Sequence, residues 1–170
     1  LQLAGEKGND PLRLQNEMVN SLGIKEKLFT RANTIRDDEE IILVADKDAY
    51  YYVVNGKGNS KLDFKGEFGT KSFEELKNVN VMYVGYLKQG DRIQIENGDE
   101  KDDTPSLSLT AYRMDLKVLE EVIDKLSMQH MENVKYDSNH INGKIIMEEA
   151  GKVFLSVPYE EGWQVMVNGE

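Results

Sequence analysis

The run "AYYYVV" sets Tyr50, Tyr51 and Tyr52 side by side. Side chains alternate along an extended strand, so Tyr50 and Tyr52 share one face and Tyr51 takes the other. An exposed tyrosine ring can stack on the apolar face of a sugar, and its phenol supplies a hydrogen-bonding hydroxyl. The tail "VPYEEGWQVMVNGE" adds Tyr159 and the only tryptophan, Trp163. Tyr50, Tyr52, Tyr159 and Trp163 are therefore the candidate glycan-binding residues. Each also has a structural reading, because half-buried strands use tyrosine at the edge of a core. Trp163 follows the turn-forming Glu160-Glu161-Gly162 and shares a strand face with Val165 and Val167. It reads more readily as a pin at a strand crossover than as a ligand platform.

The remaining groups capable of chemistry do not form a recognisable centre. Glu96, Asp99, Glu100, Asp102 and Asp103 carry the hard oxygens that calcium prefers, but they lack the spaced pattern of a calcium loop and read as a solvated charge run. His130 and His140 have neither cysteine nor paired-histidine spacing around them, so no metal site is expected. No nucleophile elbow, Gly-rich phosphate cradle or Ser/His/Asp set is present, and no pair among the many carboxylates can be promoted to acid and base without geometry. The expectation is no catalytic residue, no metal and no cofactor.

Composition narrows the class further. At 170 residues the chain is long enough to bury a sizeable core, and its 31 acidic against 21 basic residues give a net charge of −10. That charge repels phosphate backbones and excludes nucleic acid as a partner. No apolar run approaches the roughly 20 residues of a membrane-crossing helix. The absence of cysteine fits either a reducing compartment or an envelope protein that does without disulfides.

Two helices and a series of short strands must position these residues. In "NDPLRLQNEMVNSLG", Asp10 is a cap, Pro11 suits the first helical position and Gly23 lies just past the end. Leu14, Met18 and Leu22 form the expected docking face. A second helix starts at the cap Asp115, with Leu116, Leu119, Val122, Ile123 and Leu126 as its apolar stripe. From Glu40 onward, "EIILVA", "AYYYVV", "KLDFKGEF", "VNVMYVGYL", "RIQIE" and "PSLSLTAYRM" read as strands, and "NVKYD", "HINGKIIME", "KVFLSVP" and "WQVMVN" follow the second helix. Asn55-Gly56 and Asn97-Gly98 are hairpin-type dipeptides. This pattern predicts a mainly β fold, an antiparallel β-sandwich of jelly-roll or immunoglobulin-like type with two short surface helices, occupying residues 1–170 as a single domain.

The stretch "SNHINGKIIMEEAGKVFLSVPYEEGWQVMVNGE" resembles the β-rich region of the bacterial YfhO family of multi-pass membrane proteins. The resemblance extends to "NDPLRLQNEMVNSLG" and to the helix at Asp115, with Leu12 standing where the family carries an aromatic. Such proteins are similar to GT-C membrane glycosyltransferases and are associated with glycosylating cell-envelope polymers such as teichoic acids. The resemblance implies a non-catalytic extracytoplasmic domain that packs on the transmembrane part of the same polypeptide and contacts glycan or polymer. The parent would be a membrane glycosyltransferase, although none of the acids here matches a catalytic position. An N-terminus without methionine or signal peptide, and a closing Asn168-Gly169 without a returning strand, lead to the expectation of a segment cut from a longer protein. A free-standing carbohydrate-binding or adhesion module is the alternative reading of the aromatic residues.

Overall fold

The computed structural model describes residues 10–36, 40–56, 60–76, 80–98, 107–128, 130–147, 153, 155, 157–158 and 160–169. The chain divides into two compact units, Leu1–Met128 and Gln129–Glu170.

Among the described residues, the first unit contains helices α1 (Pro11–Ser21) and α2 (Leu116–Met128) and nine strands: β1 (Phe29–Arg31), β2 (Asn33–Arg36), β3 (Glu40–Val44), β4 (Ala49–Asn55), β5 (Leu62–Gly66), β6 (Gly69–Phe73), β7 (Val81–Leu87), β8 (Arg92–Asn97) and β9 (Leu109–Met114). They form two antiparallel sheets, in the orders β1-β9-β4-β7 and β2-β3-β8-β5-β6. Alternation along the strands sends Ile41, Leu43, Leu62, Phe64, Ile93 and Ile95 from the larger sheet against Tyr51, Val53, Met82, Val84 and Ala111 from the smaller. Their shared core is what makes the arrangement an open sandwich. The fold is thus mainly β and antiparallel, as the sequence pattern predicts. At one edge β1 and β2 are nearly continuous. Ala32 between them donates its N–H to Ala111 O, so the chain pairs first with one sheet and then with the other.

The other face of the smaller sheet carries a second core, in which Leu12, Val19, Ile24, Leu28, Phe29, Val54, Tyr112 and Val118 bring both helices onto the strands. Caps fix both helix starts. Asp10 Oδ1 accepts from Leu12 N (3.0 Å) and Arg13 N (3.3 Å), while Asp115 Oδ1 accepts from Lys117 N (3.0 Å) and Val118 N (3.4 Å). Of the expected docking face Leu14-Met18-Leu22, Leu22 packs against this core, but the face as a whole is turned. Leu12 and Val19 are buried, whereas Met18 is exposed. The reason is polar: Asn16 Nδ2 donates to Phe29 O (2.7 Å), and Phe29 N donates back to Asn16 Oδ1 (2.8 Å). Asn16 thereby meets the edge of β1 as a neighbouring strand would, and it rotates the helix about its axis. On α2, Val118, Leu119 and Val122 join the core, but Leu116, Ile123 and Leu126 of the predicted stripe stay exposed.

The two Asn-Gly pairs do not make hairpins. Asn55 ends β4, which pairs with β7 and β9, and Asn97 ends β8, which pairs with β3 and β5. At each point the chain leaves one sheet for the other. Asn55 is buried, and its side chain accepts from Asn80 N instead of shaping a two-residue turn.

In the second unit β10 (Glu132–Tyr136) and β11 (Ile141–Lys144) form an antiparallel hairpin. Its turn is organised by Asp137, whose Oδ1 accepts from Asn139 N (2.9 Å) and His140 N (2.8 Å). The strands expected from "KVFLSVP" and "WQVMVN" are absent among the described residues. A strand needs a ladder partner, and the described residues after β11 pair with none. The turn between them does form: Trp163 N approaches Glu160 O at 3.4 Å, with Gly162 at φ 111°.

Candidate functional site: a tyrosine ribbon across the smaller sheet

Tyr50 and Tyr52 lie on one face of β4 and are half-buried, while Tyr51 is fully buried on the other. The Tyr51 hydroxyl sits between Asp46 Oδ1 (3.0 Å) and Lys47 O (2.9 Å) and accepts from Lys47 N (3.2 Å). Burial, reinforced by the Asp46 carboxylate, pushes this phenol above its ordinary pKa. Tyr51 therefore closes the β3–β4 connection from inside and is no part of a surface. Asp46 also pairs with Arg113, Nε to Oδ2 at 3.2 Å, next to Tyr51 across β9.

The neighbouring edge strand supplies rings that the sequence pattern did not single out. In "VMYVGYL", Tyr83 and Tyr86 are three residues apart and would face opposite ways on a regular strand. The register against β4 slips between Tyr51 and Tyr52, so that Tyr51 faces Gly85 while Tyr52 faces Tyr83. Val84 is the extra residue of a β-bulge, which puts both tyrosines on the face of Tyr50 and Tyr52. Gly85 takes φ 149°, a conformation that L side chains rarely adopt. The glycine inside an apolar run was the available signal for this bulge.

Five rings then run across the sheet. Phe29 meets Tyr52 edge-on at 5.5 Å, Tyr52 meets Tyr83 at 5.4 Å, Tyr83 meets Tyr50 at 6.3 Å, and Tyr50 meets Tyr86 at 5.2 Å. The ribbon begins in the helix-covered core and ends in solvent, where Tyr83 is 45% and Tyr86 51% exposed. Each tilted or T-shaped pair is worth about 0.5–1.5 kcal/mol beyond its buried area, so the inner rings hold the outer ones in place. Burial, followed by the neighbouring Tyr83 and Tyr50 hydroxyls, raises the Tyr52 pKa, which keeps this phenol protonated. From the edge of the other sheet Lys71 Nζ donates to Tyr83 O (2.9 Å) and lies over the rings of Phe73 (4.9 Å) and Tyr83 (5.7 Å).

The other sequence candidates do not join this site. Tyr159 lies outside the described residues. Trp163 belongs to the second unit, 42% exposed, with no strand on either side among the described residues. Of the acidic run only Glu96 is described. It stands between Glu40 and Asp63 in a row of three carboxylates across β3, β8 and β5. Lys65 Nζ binds Glu96 Oε2 at 2.5 Å, and Gln94 Nε2 donates to Glu96 Oε1 (2.7 Å) and to Glu40. One lysine and one amide thus engage Glu96 and Glu40 within the sheet, while Asp63 keeps a buried carboxylate oxygen without a hydrogen-bond partner, and the described residues contain no group of His, Cys, Asp or Glu suited to a metal ion. His140 Nδ1 is 3.2 Å from Asp137 Oδ1, an exposed pair belonging to the hairpin turn.

Residues 8–170 match the family model described as bacterial membrane protein YfhO. The chain belongs to the YfhO family of bacterial membrane proteins. No curated protein and no solved structure matches it. Among the described residues, no helix is long and apolar enough to cross a membrane. Within this YfhO-family chain, Asp10, Pro11 and Asn16 of the N-terminal segment have visible structural work. Asp10 caps α1 and accepts the Tyr112 hydroxyl, Pro11 opens the helix, and Asn16 holds the edge of β1.

Proposed function

We propose that this chain is a non-catalytic domain of a YfhO-family membrane protein, lying on the extracytoplasmic face of the bacterial membrane. There it contacts the glycan or polymer substrate of envelope glycosylation, of teichoic acid type, and packs on the transmembrane part of the same polypeptide. The observation that carries this reading is the tyrosine ribbon, whose buried end is anchored in a core and whose outer end offers Tyr83 and Tyr86 to solvent. Exposed rings fixed by their neighbours bind with little loss of conformational freedom. The exposed Leu116, Ile123 and Leu126 of α2 support packing on an apolar partner surface.

Two experiments on the full-length protein test it. Serine at both Tyr83 and Tyr86 is expected to lower the sugar content of the wall polymer several-fold at unchanged protein level. Unchanged sugar content would remove the contact role. This chain has no cysteine of its own, so Ser138→Cys in a full-length background with any other cysteine replaced reports sidedness. Labelling of intact cells by a membrane-impermeant maleimide is expected, and labelling only after lysis would place the domain on the other side.

A further inference from the structure

The charge pattern around the tyrosine ribbon specifies its ligand further. Neither β4 nor β7 carries a charged side chain, in a chain with 31 acidic and 21 basic residues. On β7 this leaves an uncharged exposed stripe of Val81, Tyr83 and Tyr86. Resting on the proposed glycan contact, we infer that this stripe binds neutral sugar units by stacking on Tyr83 and Tyr86, and does not bind an anionic polymer backbone.

Phosphate and carboxylate are recognised by guanidinium or ammonium groups, or by helix N-termini. The stripe contains none of these. Lys71, which lies over the Tyr83 ring, gives one N–H to the Tyr83 carbonyl and also covers the Phe73 ring, so a single partly engaged ammonium stands at the margin of the stripe, short of the clustered cations that hold a polyanion. Arg31 is exposed, but it stands at the opposite end of the row Tyr83-Tyr52-Tyr112-Arg31, three strands from Tyr83, where it meets the Tyr112 hydroxyl. A net charge of −10 adds long-range repulsion of any polyanion. A second polypeptide strand is also disfavoured as occupant. The bulge at Val84 and the lysine held on the β7 backbone are two devices that keep strands off a sheet edge. What remains is a surface of rings and hydroxyls, which matches the apolar faces and hydroxyls of uncharged sugars.

The test titrates the 170-residue chain with two kinds of probe: neutral hexose and N-acetylhexosamine disaccharides, and sugar-free poly(glycerol phosphate). Ring resonances of Tyr50, Tyr83 and Tyr86 are followed by NMR. At least one neutral disaccharide is expected to shift them, and Tyr86→Ala to weaken that binding by up to about tenfold, the equivalent of one lost stacking contact. Thermal melting of the variant checks that the fold is intact. If poly(glycerol phosphate) binds at the rings with an affinity that falls as salt rises, the neutral-sugar assignment is overturned while the contact role survives. Unaltered disaccharide binding by Tyr86→Ala overturns the assignment as well. If no probe moves the ring resonances, the contact role itself fails along with it.

Discussion

Asn16 is where removing one amide group should cost most for its size. Its side chain exchanges two hydrogen bonds with the backbone of Phe29, at 2.7 and 2.8 Å, on the outer edge of β1. Phe29 is only 5% exposed, so its N–H and C=O have little access to replacement water. Asn16→Ala deletes both partners and strands a buried donor and a buried acceptor, each worth about 1–3 kcal/mol when left unsatisfied. Partial entry of water brings the expected loss to about 2–4 kcal/mol, or roughly 5–15 °C in Tm for a chain of this size. Asn16→Leu, similar in volume but without the amide, should lose a comparable amount, which separates hydrogen bonding from packing. Urea denaturation gives the stability change, and hydrogen exchange at the Phe29 amide gives its local origin. A loss below about 0.5 kcal/mol in Asn16→Ala, with the Phe29 amide still protected, would refute the claim that this side chain holds the strand edge.

Two further predictions concern the bulge and the hairpin turn. Gly85→Ala meets no steric obstacle, since a Cβ there finds nothing within 4 Å, but it forces an L side chain to φ 149°. A destabilisation of about 1–3 kcal/mol is expected by denaturation, together with altered Tyr83 and Tyr86 ring shifts; neutral behaviour in both readouts would mean that the bulge is not held by the glycine. At the hairpin, backbone N–H donation from Asn139 and His140 holds the Asp137 carboxyl below its ordinary pKa of 3.8. A depressed folded-state pKa stabilises the turn above the ordinary value, and that contribution is lost as pH falls through the folded-state value. The Asn139 and His140 amides should therefore lose protection only below about pH 4, and loss between pH 5 and 7 would assign the turn to another group.

The sandwich was legible because alternation is a local property. "EIILV" and "RIQIEN" each send two aliphatic residues to one face, whichever strands they pair with. The helix starts were legible for the same reason, since Asp10-Pro11 and Asp115 act on amides within three residues. The misread features depend on non-local pairing. Asn55-Gly56 has the composition of a hairpin, yet the partners of β4 lie at Val81–Leu87 and Leu109–Met114. Apolar spacing placed Leu14, Met18 and Leu22 on the docked face of α1; Leu22 does pack there, but Met18 is exposed, and a polar residue, Asn16, contributes to the orientation through a residue thirteen positions away. In the tail, apolar residues at strand spacing imply strands only if a partner edge exists, and the described part of "WQVMVN" pairs with none.

The candidate site was half legible for a related reason. Tyr50 and Tyr52 share a face by alternation alone, but Tyr83 and Tyr86 join them only through a one-residue slip in register. That slip also determines what the face is. Without the extra Val84, either Tyr83 or Tyr86 would turn toward the sandwich core, and the ribbon would end at a single exposed ring. The inner end is fixed from the opposite side. Asn16 holds the Phe29 backbone, Phe29 packs edge-on to Tyr52, and Tyr52 packs against Tyr83. The N-terminal helix therefore bears on the exposed rings through three successive contacts. Disturbing Asn16 should move the Tyr83 ring resonance as well as lower stability, which ties the "QN" segment of this YfhO-family chain to the surface proposed to meet the glycan.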